Sequence, residues 1–204
     1  AMVLSQDEYL YRVWSVESGL PQISVTAIAQ DAQGFLWLGT QNGLARFDGV
    51  HFDVFNTANT PAFSSNLITA LHIDQQQRLW IGTVNGLMRY QQGQFTRLDQ
   101  QQPLQGNITS FAELSDGTMY VGGAQLYQWR EPQAELTPVA AHNGAVFQLF
   151  QQQDTLWVGA LNGFGILTAD GYQWYNAPQN LAGLQISELA RQDSDLYLGS
   201  NLGL

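Results

Sequence analysis

One stretch of this chain occurs twice. GFLWLGTQNGLARFDG, from Gly34 to Gly49, returns as QRLWIGTVNGLMRYQQG from Gln77 to Gly93. Self-similarity at a fixed spacing points to a small supersecondary unit that stacks on its own copies, because one such unit cannot bury its apolar face alone. Looser copies follow as GTMYVGGAQLYQW from Gly117, DTLWVGALNGFGIL from Asp154 and SDLYLGSNLGL from Ser194. Their anchor glycines, Gly39, Gly82, Gly122, Gly159 and Gly199, lie 37 to 43 residues apart.

Each unit reads as four strands. In the first, SVTAIAQD (Ser24 to Asp31) turns through Ala32-Gln33-Gly34 into FLWLGT (Phe35 to Thr40), then into GLARFD (Gly43 to Asp48) and HFDVFN (His51 to Asn56). Asn42-Gly43, Asn85-Gly86, Asp116-Gly117 and Asn162-Gly163 carry the Asn/Asp-Gly signal of tight corners. The second strand is apolar throughout, as in Leu36-Trp37-Leu38 and Leu79-Trp80-Ile81, so both of its faces must be buried. Four strands at a period near 40 are the mark of a β-propeller, in which each sheet is pressed between two neighbours.

The expected fold is therefore all-β, with blades of four antiparallel strands: about four complete blades plus a partial fifth. The repeats fall near 24–56, 65–98, 107–130, 144–176 and 186–204, within a propeller region spanning 9–204, and residues 1–8 are set apart as a tail. Trp37, Trp80, Tyr120, Trp157 and Tyr197 are expected between blades, with the glycine two residues on leaving room where blades crowd. The chain stops just past the second strand of its fifth unit, while YLYRVW (Tyr9 to Trp14) aligns with a fourth strand that has no three before it. The expectation is a fragment of a larger propeller whose open terminal blades associate with a second copy.

The residues also resemble a known family, the two-component regulator propeller repeats found in sensor regions of bacterial membrane signalling proteins. Its pattern is D-x-x-G-x-L-W-x-G-T-x-x-G-L-x-R-[FY]. Asp31, Gly34, Leu36, Trp37, Gly39, Thr40, Gly43, Leu44, Arg46 and Phe47 match it fully; the second unit, Asp74 to Tyr90, departs only where Gln77 replaces the turn glycine. The lead-in YRVWSVESGLPQISV (Tyr11 to Val25) is similar to the segment that opens such regions. The resemblance implies a periplasmic, ligand-sensing propeller in a membrane-anchored parent, with a histidine kinase or diguanylate cyclase output outside this chain.

Chemistry is sparse by comparison. Seven arginines and no lysine stand against 17 acids, a formal charge of −10, which excludes a nucleic-acid binder. Cysteine is absent, which removes disulfides, thiolate metal sites and a thiol nucleophile. His51, His72 and His142 fall at no metal-ligand spacing, no G-x-S-x-G, P-loop or H-E-x-x-H occurs, and no cofactor is expected. No apolar run approaches the roughly 18 residues of a membrane span. Glutamine is abundant, and the triplets Gln75–Gln77, Gln100–Gln102 and Gln151–Gln153 read as solvated loops.

Strand parity places the turns between strands two and three, and the long loops between units, at one end of the array. Function tends to sit on loops above a rigid scaffold. That rim carries Gln41, Asn42, Asn66, Asn85, Asn107 and Asn162, neutral groups suited to a polar small molecule or glycan. The leading expectation is a non-catalytic sensor module. The alternatives are a propeller enzyme resembling the streptogramin-type lyases and a protein-interaction platform.

Overall fold

A computed structural model describes residues 12–100, 104, 106–132, 135–142, 144–178, 183–192 and 195–203. The tail and Tyr9 to Tyr11 of YLYRVW lie outside the described residues. The first blade comprises β1 (Val25–Gln30), β2 (Leu36–Thr40), β3 (Gly43–Phe47) and β4 (Phe52–Phe55). The second holds β5 (Ile68–Ile73), β6 (Leu79–Thr83), β7 (Gly86–Gln91) and β8 (Gln94–Arg97), and the third β9 (Ser110–Glu113), β10 (Met119–Gly122), β11 (Leu126–Arg130) and β12 (Glu135–Pro138). The fourth has β13 (Val146–Gln152), β14 (Thr155–Ala160), β15 (Gly163–Thr168) and β16 (Gly171–Asn176); β17 (Ile186–Gln192) and β18 (Asp195–Ser200) form a hairpin that begins a fifth. Among the described residues these make four antiparallel four-stranded sheets and one two-stranded sheet, each in sequence order. The fold is thus the all-β propeller architecture that the repeat demands.

First strands of successive blades lie against one another, β1 on β5, β5 on β9, β9 on β13 and β13 on β17, so they line the inner side of the row. The apolar core is correspondingly divided into seams. Trp37 and Leu44 meet Ile68, Leu79, Ile81 and Met88 between the first two blades. Trp80 and Leu87 meet Ile108, Met119 and Trp129 between the second and third, and Tyr120 meets Val146 and Leu156 between the third and fourth. Each four-stranded blade thus buries its apolar side chains against its neighbours.

The polar and aromatic positions of the repeat signature are explained by the contacts they make. Asp31 Oδ1 accepts the backbone N–H groups of Gln33 and Phe35, closing the first turn, and its Oδ2 accepts the Trp37 indole N–H at 2.8 Å. Asp74 repeats this with Gln76, Arg78 and Trp80. Gly34 has φ +88°, and Gln77 holds the same left-handed turn at φ +61° without a glycine. The hydroxyls of Thr40 and Thr83 clamp the next hairpin, accepting from Asn42 and Asn85 N–H and donating to the Gly43 and Gly86 carbonyls. Arg46 and Arg89, opposite Trp37 and Trp80 on the third strand, lie 5.7 and 5.8 Å over the indole rings. Tyr90 of the second blade then packs its ring 4.9 Å from Trp37 of the first.

Weaker copies lose these parts together. The third blade puts Leu114 and Tyr120 where the first two put Asp and Trp, so neither the acceptor nor the indole donor remains, and the fourth keeps Trp157 but has Gln151 in place of the aspartate. In the fourth, Trp157 is only half-buried and its indole nitrogen is buried without a partner. Trp37, Trp80 and Tyr120 lie between blades as expected, whereas Tyr197 is 47% exposed. Trp37 and Trp80 are each covered by a third-strand aromatic of the following blade, Tyr90 or Trp129. Among the described residues the fifth hairpin offers Trp157 no third strand, and none of them forms a blade over Tyr197.

Candidate functional site

The rim residues divide into two groups. Asn66 accepts the Thr57 N–H and Asn162 the Gly183 N–H, both at 2.8 Å, so these side chains hold inter-blade loops in shape. Asn162 is also the one asparagine of the tight corners that itself takes positive φ, at +61°; at Asn42-Gly43 and Asn85-Gly86 the glycine alone does so. Gln41, Asn42, Asn85 and Asn107 are exposed, the first three on the two-residue loops that Thr40–Gly43 and Thr83–Gly86 close. The concavity at this end is apolar: a 280 Å³ cleft between the fourth blade and the fifth hairpin, walled by Phe164, Leu184, Leu198 and Leu202.

Larger polar concavities open at the opposite end, where first strands turn into second strands. One, of about 750 Å³, lies along the inner strands of the second, third and fourth blades. It is lined by His72, Asp74, Phe111, Glu113, Gln151 and Asp154 among others. Antiparallel pairing brings them there: β5, β9 and β13 all run toward this end and deliver the last side chains before each turn. A second cleft of about 420 Å³, between the first two blades, is bordered by Asp31, Arg46, Gln77 and Tyr90.

The electrostatics of the larger cleft follow from burial. Glu113 is buried, which pushes its carboxyl up; the Gln75 N–H at 2.7 Å and Arg78 oppose this, while Asp74 adds to it. Burial pushes the His72 imidazole down despite the neighbouring Asp74, so the ring is neutral near pH 7. Asp74 is committed to Trp80 and to Arg78 Nε at 2.5 Å, and Arg78 continues to Glu131, which Arg89 also meets at 2.9 Å. Burial works to raise the Glu131 carboxyl, but these two guanidinium groups outweigh it and hold it low. What remains for a ligand is an acidic to neutral polar surface beside the Phe111 ring.

Sequence reasoning missed the residues that stitch this end together. Gln77 accepts the Ala32 N–H of the preceding blade at 3.0 Å, and Gln75 donates both from its backbone to Glu113 and from its side chain to the Leu114 carbonyl. Ser115 donates to Asp154 across the next seam. The glutamines at Gln75 and Gln77, expected as solvated loop residues, therefore bind blade to blade. The remaining histidines stand apart from the cleft: His142 is held by the Tyr172 hydroxyl at 2.6 Å and the Gly144 carbonyl, and His51 lies 3.6 Å from Asp48 on an exposed turn. Among the described residues no cluster of three His, Asp or Glu side chains is arranged to hold a metal ion.

Residues 19–42 and 62–85 match the family model described as two component regulator propeller. Over 59 residues the chain is 37% identical to Histidine kinase P4 of Formosa agariphila, a match covering 29% of this chain and 4% of that protein. In three dimensions the chain superposes on the extracellular domain of the hybrid two component system BT3049 from B. thetaiotaomicron with a TM-score of 0.74. The identity there is 20%, over 93% of this chain and 29% of that one. Virginiamycin B lyase from Staphylococcus aureus superposes with a TM-score of 0.67 at 14% identity, over 90% of this chain and 65% of the lyase. At these identities the superpositions establish the blade architecture. The two matched segments contain the turn aspartate, indole, glycine and threonine whose bonds define the first two blades, and the chain is thus a β-propeller carrying two-component regulator propeller repeats.

Proposed function

We propose that this chain is the sensing propeller of a bacterial two-component-type signalling protein, works outside the cytoplasmic membrane and binds a polyhydroxylated ligand such as a glycan. The output, a kinase or cyclase, belongs to the parent protein. The observation that carries the reading is the pair of regulator-propeller repeats, joined to a polar cleft whose walls come from three different blades. A ligand there touches three rigid sheets at once, so its binding bears on their relative positions. The names of the BT3049 extracellular domain and Histidine kinase P4 support the signalling context. Against polyanions stands the formal charge of −10, and in favour of hydroxylated ligands stand the Glu113 carboxyl, the exposed Gln151 and Asp154 side chains, and an aromatic wall at Phe111.

A non-catalytic role is supported by the state of the histidines. His142 is tied to Tyr172 and His51 pairs with an exposed turn aspartate, both away from the cleft, while His72 on the cleft wall has no hydrogen-bonded carboxylate to orient its ring. Isothermal titration against a panel of neutral oligosaccharides tests the proposal. Glu113→Gln with Gln151→Ala should weaken the binding at least tenfold, and Asn42→Ala with Asn85→Ala should leave it unchanged. The reverse pattern would move the site to the rim; no heat across the panel would reject this ligand class.

A further inference from the structure

Two consecutive seams are built from the same repeat positions and close differently. Between the second and third blades, Asp74 Oδ2 bonds Arg78 Nε at 2.5 Å, and Glu131 of the third blade meets Arg78 and Arg89 at 2.5 and 2.9 Å. Two carboxylates and two guanidinium groups balance there. Glu131 comes to them from the four-residue connection between β11 and β12.

Between the first and second blades part of this set is missing. Asp31 holds its turn and the Trp37 indole as Asp74 does in the second blade, and Arg46 lies opposite Trp37 as Arg89 lies opposite Trp80. Phe35, however, takes the place of Arg78, four residues after the aspartate and closing the same turn. The connection between β7 and β8 is two residues long, and it opens with Gln92 where the longer one opens with Glu131. Arg46 is drawn to its own blade, donating to Asp53 at 2.6 Å and reaching the Tyr90 hydroxyl at 3.4 Å. Asp31 and Asp53 thus stand against one guanidinium, and it is in this seam that the cleft of about 420 Å³ opens.

We propose that this cleft binds a small guanidinium-bearing molecule, whose head group takes the place in the first seam that the Arg78 guanidinium takes in the second. Such a head restores the balance of two cations to two carboxylates. Asp31 supplies the carboxylate, Phe35 and Tyr90 supply ring faces for a cation, and Gln76 and Gln92 supply amide oxygens for its remaining N–H groups. A carboxylate ligand would instead add a third negative charge to the seam, in a chain whose formal charge is already −10. Both walls belong to complete four-stranded blades of this chain. The cleft adjoins the inner-strand one at Ile73 and Gln77, but its charged groups are its own, so the inference stands apart from the glycan reading.

Isothermal titration of the full chain with butylguanidinium tests this, at about 0.15 M salt so that diffuse attraction to the acidic surface is screened. Binding should saturate at one site, and butylurea, the neutral isostere, should bind at least about tenfold more weakly. Phe35→Arg supplies the missing guanidinium from the chain itself, so it should weaken butylguanidinium binding by at least about tenfold, with the melting temperature held or raised. Asp31→Asn should weaken it likewise, and it decides the matter if circular dichroism shows that Phe35→Arg has lost its strand signal. Glu113→Gln with Gln151→Ala, in the inner-strand cleft, should leave butylguanidinium binding unchanged. No saturable binding overturns the proposal, as does equal binding of butylurea, or a folded Phe35→Arg or Asp31→Asn variant that binds as wild type. Loss of binding in the Glu113→Gln, Gln151→Ala variant also overturns it, by placing the cation in the other cleft.

Discussion

The Trp80 indole N–H donates to Asp74 Oδ2 at 2.8 Å, and the same oxygen accepts Arg78 Nε at 2.5 Å. One carboxylate therefore closes a turn, satisfies a fully buried indole and neutralises a buried guanidinium. Asp31 performs the first two tasks for Trp37 and has no arginine bonded to it. Asp74→Ala should cost about 3–5 kcal/mol, because it leaves a fully buried indole unsatisfied and takes from the buried Arg78 guanidinium one of its two carboxylate partners. Asp31→Ala should cost about 1–3 kcal/mol, the penalty of an unsatisfied buried donor. Urea unfolding of the two variants checks the order.

Aromatic substitutions should grade with coverage. Trp37→Ala and Trp80→Ala, at 1% and 0% exposure, should each destabilise by about 3–5 kcal/mol. Tyr197→Ala, at 47% exposure, should fall within about 0.5 kcal/mol of wild type. Thermal melts separate the two classes.

The close approach of Ile108 to Gly82 invites a double-mutant cycle. Gly82→Ala forces a methyl toward Ile108 and should cost about 1–3 kcal/mol. Ile108→Ala alone should cost about 2–5 kcal/mol. The second change removes Cγ2, one of the two Ile108 atoms 2.6 Å from the added methyl, but keeps Cβ, the other, so the double variant should recover part and not all of the Gly82→Ala cost. Additive values would mean that the two residues do not meet.

Acid should weaken the fold through the histidines. Burial pushes His142 and His72 below the ordinary value of 6.5; for His142 the Gly144 carbonyl opposes this, and for His72 the Asp74 charge does. The unfolded chain takes up protons near pH 6.5 while the folded chain resists, so their contribution is full above that pH and is lost as pH falls through it. Glu113, held high by burial, works in the opposite direction. Melting temperature should drop between about pH 7.5 and about pH 5.5, and His142→Gln with His72→Gln should flatten the drop.

The blade architecture was legible because its determinants are local. A turn aspartate, an all-apolar strand and an Asn-Gly corner each act within a few residues, and repetition multiplied the signal. The blade-to-blade stitches were not legible, since Gln75 reaches Glu113 and Leu114 at 38 and 39 residues' distance, at one junction only. Coverage of Trp157 and Tyr197 likewise depends on strands of a neighbouring blade, which the local pattern around each ring does not encode. For the site, loop length and asparagine content drew attention to the rim. Asn66 and Asn162 serve their own loops there, whereas the polar cleft at the other end arises from three inner strands converging, a relation visible only after folding.

Packing between consecutive blades makes this molecule nearly one-dimensional in its energetics. Consecutive sheets hold one another, so local unfolding meets its steepest barrier where both flanks of a sheet are occupied. Amide hydrogens of β6 and β10, enclosed on both sides, should exchange most slowly, and those of the β17–β18 hairpin most rapidly.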